Sequence, residues 1–471
     1  MNSIEAKRIN FDYDEDIIHQ ISHIKRFLEL WTIVPGFQEK SKEELEEAIK
    51  EYNLDVSLEE IRVLYDNEYY IEQKKNGSPL SDAAVNYQKF ITDKIMHRAY
   101  LQTAGCVPKN RKFARWRRMQ VNRCWLKLGE RNASMVHAPI IFELTDGCSV
   151  GCTFCGLNAG KLKGCYENSS ENMKLWKEIL HVVKEVLGEA GATGTCYYAT
   201  EPFDNSAYEE FSQEFYNILG LVPQVTTTAA MRNPERMRRF LDRVREHEFK
   251  IHRFSVLDLK KFFDILEYFT PEELLFVELL PQFKEAVSNK FSITGREFLQ
   301  TNGTAELYNN ETICCISGFV VNMVRKQIRL VTPCITDAKH PTGEMVWDER
   351  VFNDSASFAL CLEAMIKDNM SKELNTKAPL RFKNNVVYDL STDTYKIKQE
   401  NGYRTILEHI NKETENTFHY VGRSVLNEKI SADQLAEDLL EKQKIAPEQS
   451  YFIINKLFEA GILENGNYEL V

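Results

Sequence analysis

No run of the chain is apolar for long enough to cross a bilayer. The first residues, "MNSIEAKRINFDYDEDI", lack the apolar core of a signal peptide. Both absences point to a cytoplasmic protein with no membrane partner. In that compartment thiols stay reduced, so the eleven cysteines are not expected to form a disulfide framework. Positive charge is also short. The formal net charge of −11 argues against a nucleic-acid partner. There is one local exception: Lys109–Arg123 carries seven basic residues and no acid. Either its arginines are solvated around an inward Phe113 and Trp116, or they meet acidic residues of a peptide. Internal repeats and low-complexity linkers are missing as well.

A length of 471 residues suits two or three domains, and 43% hydrophobic with 27% charged residues is a globular balance. Residues 1–105 read as a helical N-terminal domain. Ile17, Ile21, Ile24 and Leu28 recur at helical spacing. Ser41 with Glu44, and Ser57 with Glu60, have the capping-box pattern. Its simplest role is to cover one side of the main domain. From about residue 135 β-prone runs alternate with amphipathic stretches: Ala138–Thr145, then a helix over Glu171–Gly191, a strand over Thr193–Thr200, a helix over Ser206–Gly220. Pro223–Ala230, Ile251–Leu257 and Leu274–Leu280 are further strands, and Pro234 opens a helix between the first two. Such alternation predicts an α/β fold with a parallel sheet or barrel, its chemistry at the C-terminal ends of the strands. Residues 106–300 would hold that barrel. Residues 301–400 would add a hairpin over Thr312–Cys334. Residues 401–471 would form a winged-helix-like domain, with a capping box at Ser431 and Gln434, a helix from Pro447 to Gly461, and a final hairpin turning at Asn465–Gly466.

The stretch "FELTDGCSVGCTFCGLNAG" follows the first strand and packs Cys148, Cys152 and Cys155 into eight residues. Chance burial of small apolar residues is one reading. Structural zinc is a second, but zinc wants four protein ligands, and neither Cys165 nor His137 completes a familiar spacing. The third is an iron–sulfur cubane with one iron left open, because four irons meet only three thiolates.

C-x₃-C-x₂-C with an aromatic, Phe154, before the last cysteine resembles the signature of the radical S-adenosylmethionine (SAM) enzymes. The resemblance implies a partial (β/α)6 barrel and a [4Fe-4S] cluster whose open iron binds SAM. It implies a reductant such as a flavodoxin or ferredoxin, and a 5′-deoxyadenosyl radical that abstracts hydrogen. The superfamily's Gly-Gly-Glu-Pro-like segment corresponds to Ala199-Thr200-Glu201-Pro202. Glu201 would contact the SAM ammonium and Thr200 would offer backbone groups, though both glycines are replaced. A helix-terminal acid is the bland reading of Glu201. Thr226, Thr228 and Ser255, near strand ends, are candidates for the ribose or carboxylate. The wording around these segments, from about Arg115 to about Met370, is similar to the proteusin-type peptide epimerases, which turn L- into D-residues in ribosomally made precursor peptides. Backbone excision or crosslinking of such a peptide is the alternative within the class. A zinc-bound peptide- or nucleic-acid-binding protein is the alternative outside it.

Inversion at Cα needs a hydrogen atom from the opposite face, and a thiol suits that role. Cys165, Cys196, Cys314, Cys315, Cys334 and Cys361 follow the cluster motif. Cys334, after the run "IRLVT" and Pro333, is the first choice because a strand end faces the mouth. Cys361 sits on an apolar helical face. Cys315 and Cys334 also faintly resemble parts of auxiliary-cluster domains, but the spacing cysteines such domains need are lacking. The C-terminal domain loosely resembles small peptide-recognition domains. From Ile430 to Val471 eight acids face three bases, which disfavours a phosphate partner.

Overall fold

The computed structural model describes residues 7–9, 11–245, 251–288, 293–300, 312–370, 373–383, 386–399, 402–406, 412–427 and 429–465. Its N-terminal part is five helices, α1 (Glu15–Ile33), α2 (Lys42–Glu51), α3 (Leu58–Tyr65), α4 (Asn67–Asn76) and α5 (Asp82–Gln102). Asp14, Ser41, Ser57, Asp66 and Ser81 each cap one by accepting from a backbone N–H in the first turn. Ser41 and Glu44 close a full capping box, whereas Ser57 makes only its own half. A sixth helix, α6 (Arg111–Leu128), carries the basic run.

Next come strands β1 (Ala138–Glu143), β2 (Thr145–Asp146) and β3 (Gly164–Cys165) and helices α7 (Ser170–Leu187) and α8 (Tyr208–Leu219). Alternation continues through β4 (Thr226–Thr227), α9 (Pro234–Arg245), β5 (His252–Val256), α10 (Leu259–Tyr268), β6 (Val277–Pro281) and α11 (Gly295–Gln300). Then β7 (Ile316–Asn322), β8 (Gln327–Pro333), β9 (Glu344–Val351) and α12 (Ser355–Asn369) complete the main unit.

The chain is mixed α/β, but no closed barrel forms among the described residues. One sheet has the order β1-β7-β8-β9, with β7 parallel to β1 and the rest antiparallel. The other is the parallel sheet β4-β5-β6. The expected strand over Thr193–Thr200 is the break between them: it makes one parallel bridge, Thr195 to Ile141. Its first part is a 3-10 turn, Gly188–Thr193, and Gly194 presses so close to β1 that a Cβ would come within 2.6 Å of the Ile140 carbonyl. That close approach replaces a regular ladder. Alternation along β1 sorts its side chains. Ile140 and Phe142 pack outward against Trp176 and the helices, whereas Ile141 joins an inner cluster with Tyr198, Val320 and Val331.

The helical N-terminal part covers one side of this unit. Buried Arg26 donates to the carbonyls of Leu266 and Phe269 at the end of α10, and Lys94 pairs with Glu278 of β6. The basic run is structural. Phe113 and Trp116 are buried, as expected. The arginines are not simply solvated, however: Arg117 donates to the carbonyls of Val136 and His137, and Arg115 and Arg118 reach Glu459 near the C-terminus.

The C-terminal unit comprises β10 (Leu380–Phe382), the meander β11 (Val386–Asp389), β12 (Thr394–Gln399) and β13 (Gly402–Ile406), then α13 (Lys412–Asn427), α14 (Ala432–Gln443), α15 (Pro447–Glu459) and β14 (Leu463–Asn465). Its own core joins Leu380, Val386 and Tyr395 to Leu435, Ile454 and Leu463. The unit therefore begins near residue 380. A boundary at 401 would cut the paired strands β12 and β13. The Ser431–Gln434 capping box and Pro447 at a first helical position are present. β14 pairs antiparallel with β10. The rest of the expected final hairpin lies outside the described residues. No described helix is long and apolar enough to cross a membrane.

Candidate functional site

The three-cysteine loop leaves the C-terminal end of β1 through Thr145–Asp146 and returns as β3, where Thr145 faces Cys165. Two glycines make this path possible. Gly147 has φ +89°, and a Cβ there would lie 2.2 Å from the Lys161 carbonyl. Gly151 also has positive φ.

The loop presents the thiols in a particular state. Burial first, then the charges of Cys155 and Cys148, push Cys152 up to about 11, so the three sulfurs share one electrostatic neighbourhood. Burial also raises Cys148. Backbone N–H groups point at two of the sulfurs: Val150 donates to Cys148 at 3.5 Å and Ala159 to Cys155 at 3.4 Å. Yet the three sulfurs are not all within 4.8 Å of one another, the separation met among the described residues only by His19, His23 and Glu272. A tetrahedral zinc with Zn–S of about 2.3 Å needs sulfurs roughly 3.8 Å apart. Three thiolates fall one short of the four protein ligands that structural zinc takes, and they suit a cubane with one open iron. His137 cannot complete a zinc site. It stands before β1, at the foot of the sheet, with its ring nitrogens bonded to Ser317 and Asn132, and burial, then Arg117 and Arg123, pull it down to about 3.

Two braces that sequence reasoning missed hold the loop. On one side Asp204 accepts from the Ser149 N–H at 2.8 Å, from its hydroxyl and from Arg232. On the other, Arg296 donates to the carbonyls of Cys152 and Ala159 through its guanidinium and to that of Cys155 through its backbone N–H. Asp204 lies three residues beyond Glu201, just past the segment Ala199–Pro202. Arg296 had no local signal.

Glu201 is buried and holds two chain segments together. One oxygen accepts from the Thr227 hydroxyl at 2.5 Å and the Phe203 N–H at 3.3 Å; the other accepts from the Thr228 N–H at 3.0 Å and hydroxyl at 3.1 Å. Burial raises its pKa, against the pull of those four bonds. The helix-terminal reading is partly met, because Glu201 caps the 3-10 turn Pro202–Asp204. Thr228 and Glu201 thus meet. Thr226 turns elsewhere, onto the Tyr197 hydroxyl at 2.7 Å. Ser255 occurs on the same face of β5 as Arg253, one step from the strand end.

A cavity of about 300 Å³ opens beside the loop, lined by Thr153 and Phe154, by Leu257 after β5, and by Gln282 and Phe283 after β6. A second, of about 310 Å³, is polar. Glu143, Gly147 and Ala199 line it together with Asn322 of β7, Arg325 of the turn that follows and Arg329 of β8. Both sit at C-terminal strand ends.

Cys334 is not in this mouth. β8 runs antiparallel to β7, so its end lies level with the start of β1: Val331 pairs with Gly318, and Ile316 with Ala138. The strand-end argument holds only for a parallel strand. Cys334 is buried there, behind Gly343. Cys196 belongs to the outer core, and Cys361 contacts the Val351 carbonyl on α12. Cys165 donates to the Asp204 carbonyl at 3.4 Å. Cys314 and Cys315 belong to the inner cluster, with Leu157 of the cysteine loop and Tyr198. Cys314 is fully buried and Cys315 half-buried.

The His19–His23–Glu272 group joins α1 to the chain after α10. His23 Nδ1 accepts from the Asp55 N–H at 2.9 Å, so its proton sits on Nε2 and points at Glu272. A metal-binding histidine needs the opposite arrangement, its second nitrogen donating. The group is a hydrogen-bonded tie, not a metal site.

These features define a mixed α/β protein with a braced three-thiol loop at the C-terminal end of a parallel strand. The chain belongs to the family of the "Uncharacterized protein y4wI" of Sinorhizobium fredii (strain NBRC 101917 / NGR234), with 34% identity over 401 residues, 83% of this chain and 78% of that protein. No family model matches the chain. Among solved structures, that of BtrN in complex with AdoMet and 2-DOIA overlaps 49% of this chain and 82% of its own, with 13% identity and a TM-score of 0.31. At that score the likeness assigns neither fold nor function.

Proposed function

We propose that this chain is a radical SAM enzyme that epimerises residues of a ribosomally made peptide. The observation that carries the reading is the three-thiol loop: it leaves the C-terminal end of β1 and adjoins a cavity lined by Phe154 and the ends of β5 and β6. Cys148, Cys152 and Cys155 would hold three irons of a [4Fe-4S] cluster. Phe154 would stack on the adenine of SAM, with Leu257 and Gln282 closing the pocket. When bound, cluster and SAM supply one-electron cleavage of the sulfonium and a carbon radical able to take a hydrogen atom.

The remaining steps fall to the chain. The polar cavity at Glu143, Asn322 and Arg329 suits a peptide backbone, whose amides need partners when dried. The half-buried Cys315, which shares the inner cluster with Leu157 of the cysteine loop, replaces Cys334 as the candidate hydrogen donor. Its thiol shares the inner face with Arg253 and Tyr197, which register its charge. Glu201 would present its carboxylate to the SAM ammonium, with Thr200 and Thr228 beside it. The C-terminal unit, with its own core and acidic surface, is the candidate holder of the peptide leader. A flavodoxin or ferredoxin would deliver the electron.

The test is a mass spectrum. The enzyme is reconstituted without oxygen and given a candidate precursor peptide in heavy water. A solvent-exchanged thiol adds about one mass unit per inverted residue and changes nothing else. Loss of two hydrogens or of a fragment would reassign the chemistry to crosslinking or excision.

A further inference from the structure

The segment Thr294–Arg296 touches the cysteine loop at several points, and nothing in the loop's own sequence calls for it. Arg296 donates through Nη1 to Cys152, through Nη2 to Ala159, through Nε to the Asn158 side chain at 3.4 Å, and through its backbone to Cys155 at 2.9 Å. Gly295 has φ +57°, and a Cβ there would lie 2.2 Å from the Gly156 carbonyl and 2.5 Å from that of Cys155. The approach is backbone to backbone and admits only glycine. Thr294 is fully buried, and its hydroxyl has no hydrogen-bond partner among the described residues. That hydroxyl lies 2.8 Å from where a Cβ on Gly156 would sit. A buried hydroxyl without a partner costs stability unless something else accepts from it.

We propose that Thr294–Arg296 is a clamp that sets the geometry of the cluster-bearing loop, with Arg296 as its positioning residue and Thr294 packed against Gly156. The inference rests on the radical SAM reading. The guanidinium fork satisfies carbonyls that would otherwise compete for solvent and ties Cys152 to Ala159, while the Arg296 backbone N–H holds Cys155. It also sets a positive charge beside three thiolates, lowering the cost of gathering them. Lysine would keep the charge but lose the fork.

The test compares wild type with Arg296→Gln, Arg296→Lys and Thr294→Val, all reconstituted without oxygen. Iron and sulfide per chain are measured after a chelator challenge. Electron paramagnetic resonance of the reduced protein is recorded with and without SAM. Arg296→Gln should retain on the order of tenfold less iron, in the range expected when a group behind a metal ligand is removed. Arg296→Lys should keep more iron but lose the wild-type change of line shape on adding SAM. Thr294→Val should keep its iron and shift the spectrum. If Arg296→Gln does not fold, Arg296→Lys and Thr294→Val decide. Variants that match wild type in iron and spectrum overturn the clamp alone. A wild-type chain that takes up no iron overturns the cofactor reading, and the clamp with it.

Discussion

Removing the Glu201 carboxylate tests whether the site is pre-built by the chain. Four donors converge on this group: two hydroxyls and the backbone N–H groups of Phe203 and Thr228. In Glu201→Ala the hydroxyls can rotate to other partners, but the two backbone groups cannot. At about 1–3 kcal/mol for each buried unsatisfied donor, the loss is about 2–6 kcal/mol. In Glu201→Gln the side-chain oxygen keeps one pair of bonds. With its NH₂ group placed toward Thr227 and Phe203, the Thr227 hydroxyl can turn to accept from it, and the Phe203 N–H bond at 3.3 Å is the one given up. Losing that cap and the charge assistance costs roughly 2 kcal/mol, partly offset because burial disfavours the carboxylate. The expected order is wild type, then Gln, then Ala, measured by urea unfolding of protein free of metal and SAM, with tryptophan fluorescence as the signal. If the apo Ala variant lies within about 0.5 kcal/mol of wild type, the four-donor account is wrong, since ordinary surface substitutions stay inside that margin.

Three further outcomes are expected. Phe154→Ala should weaken SAM binding by roughly 10- to 100-fold in equilibrium titration, the usual worth of an aromatic stacked on a base, while iron content stays unchanged. Cys315→Ala should abolish deuterium uptake into the peptide yet leave SAM cleavage intact, whereas Cys334→Ala should leave both intact; the reverse result would restore Cys334 as donor. The last concerns pH. Burial works to raise Glu272, but hydrogen bonds from its own backbone, Thr270 and both histidines prevail and hold it at about 2, against an ordinary value of 4.5. A carboxylate depressed in the folded state stabilises above its unfolded pKa, and that contribution drains as pH falls from about 4.5 to 2. Glu272→Gln should therefore cost on the order of 1 kcal/mol at pH 7, discounted for its partial exposure, and the gap to wild type should close near pH 2 in denaturation curves.

What could be read from the sequence was local. The cysteine loop follows the first strand as expected, because a β-prone run followed by glycines at the turn leaves few other paths. The caps at Ser41, Ser431 and Pro447 are decided within four residues, and they are in place. Long-range relations were not legible. The expected hairpin over Thr312–Cys334 forms, but that its first strand, β7, runs parallel to β1, and so carries Cys334 away from the mouth, could not be read from composition. Thr193–Thr200 has strand-like residues, but Gly194 lets the backbone pack too closely on β1 for a ladder. The basic run left two readings open, inward packing of Phe113 and Trp116 or a surface for acidic peptide residues; both aromatics are buried, and Arg115 and Arg118 pair with this chain's own Glu459. Arg296 is an ordinary arginine in sequence, and only the fold carries it to the cysteines.

The pairing of β1 with β7 has a consequence for the order of events during synthesis. Ala138 is matched by Ile316, and the cysteine loop is gripped by Arg296. Everything that steadies the three thiols from that side leaves the ribosome long after they do. A nascent chain that has reached only α10 carries an exposed hairpin of thiols beside a strand with an open edge. Such a chain is vulnerable to oxidation and to adventitious metals. On the proposed reading, cluster loading belongs after β7 has emerged and docked, and truncations that stop before residue 322 should give colourless, aggregation-prone protein whatever the iron supply.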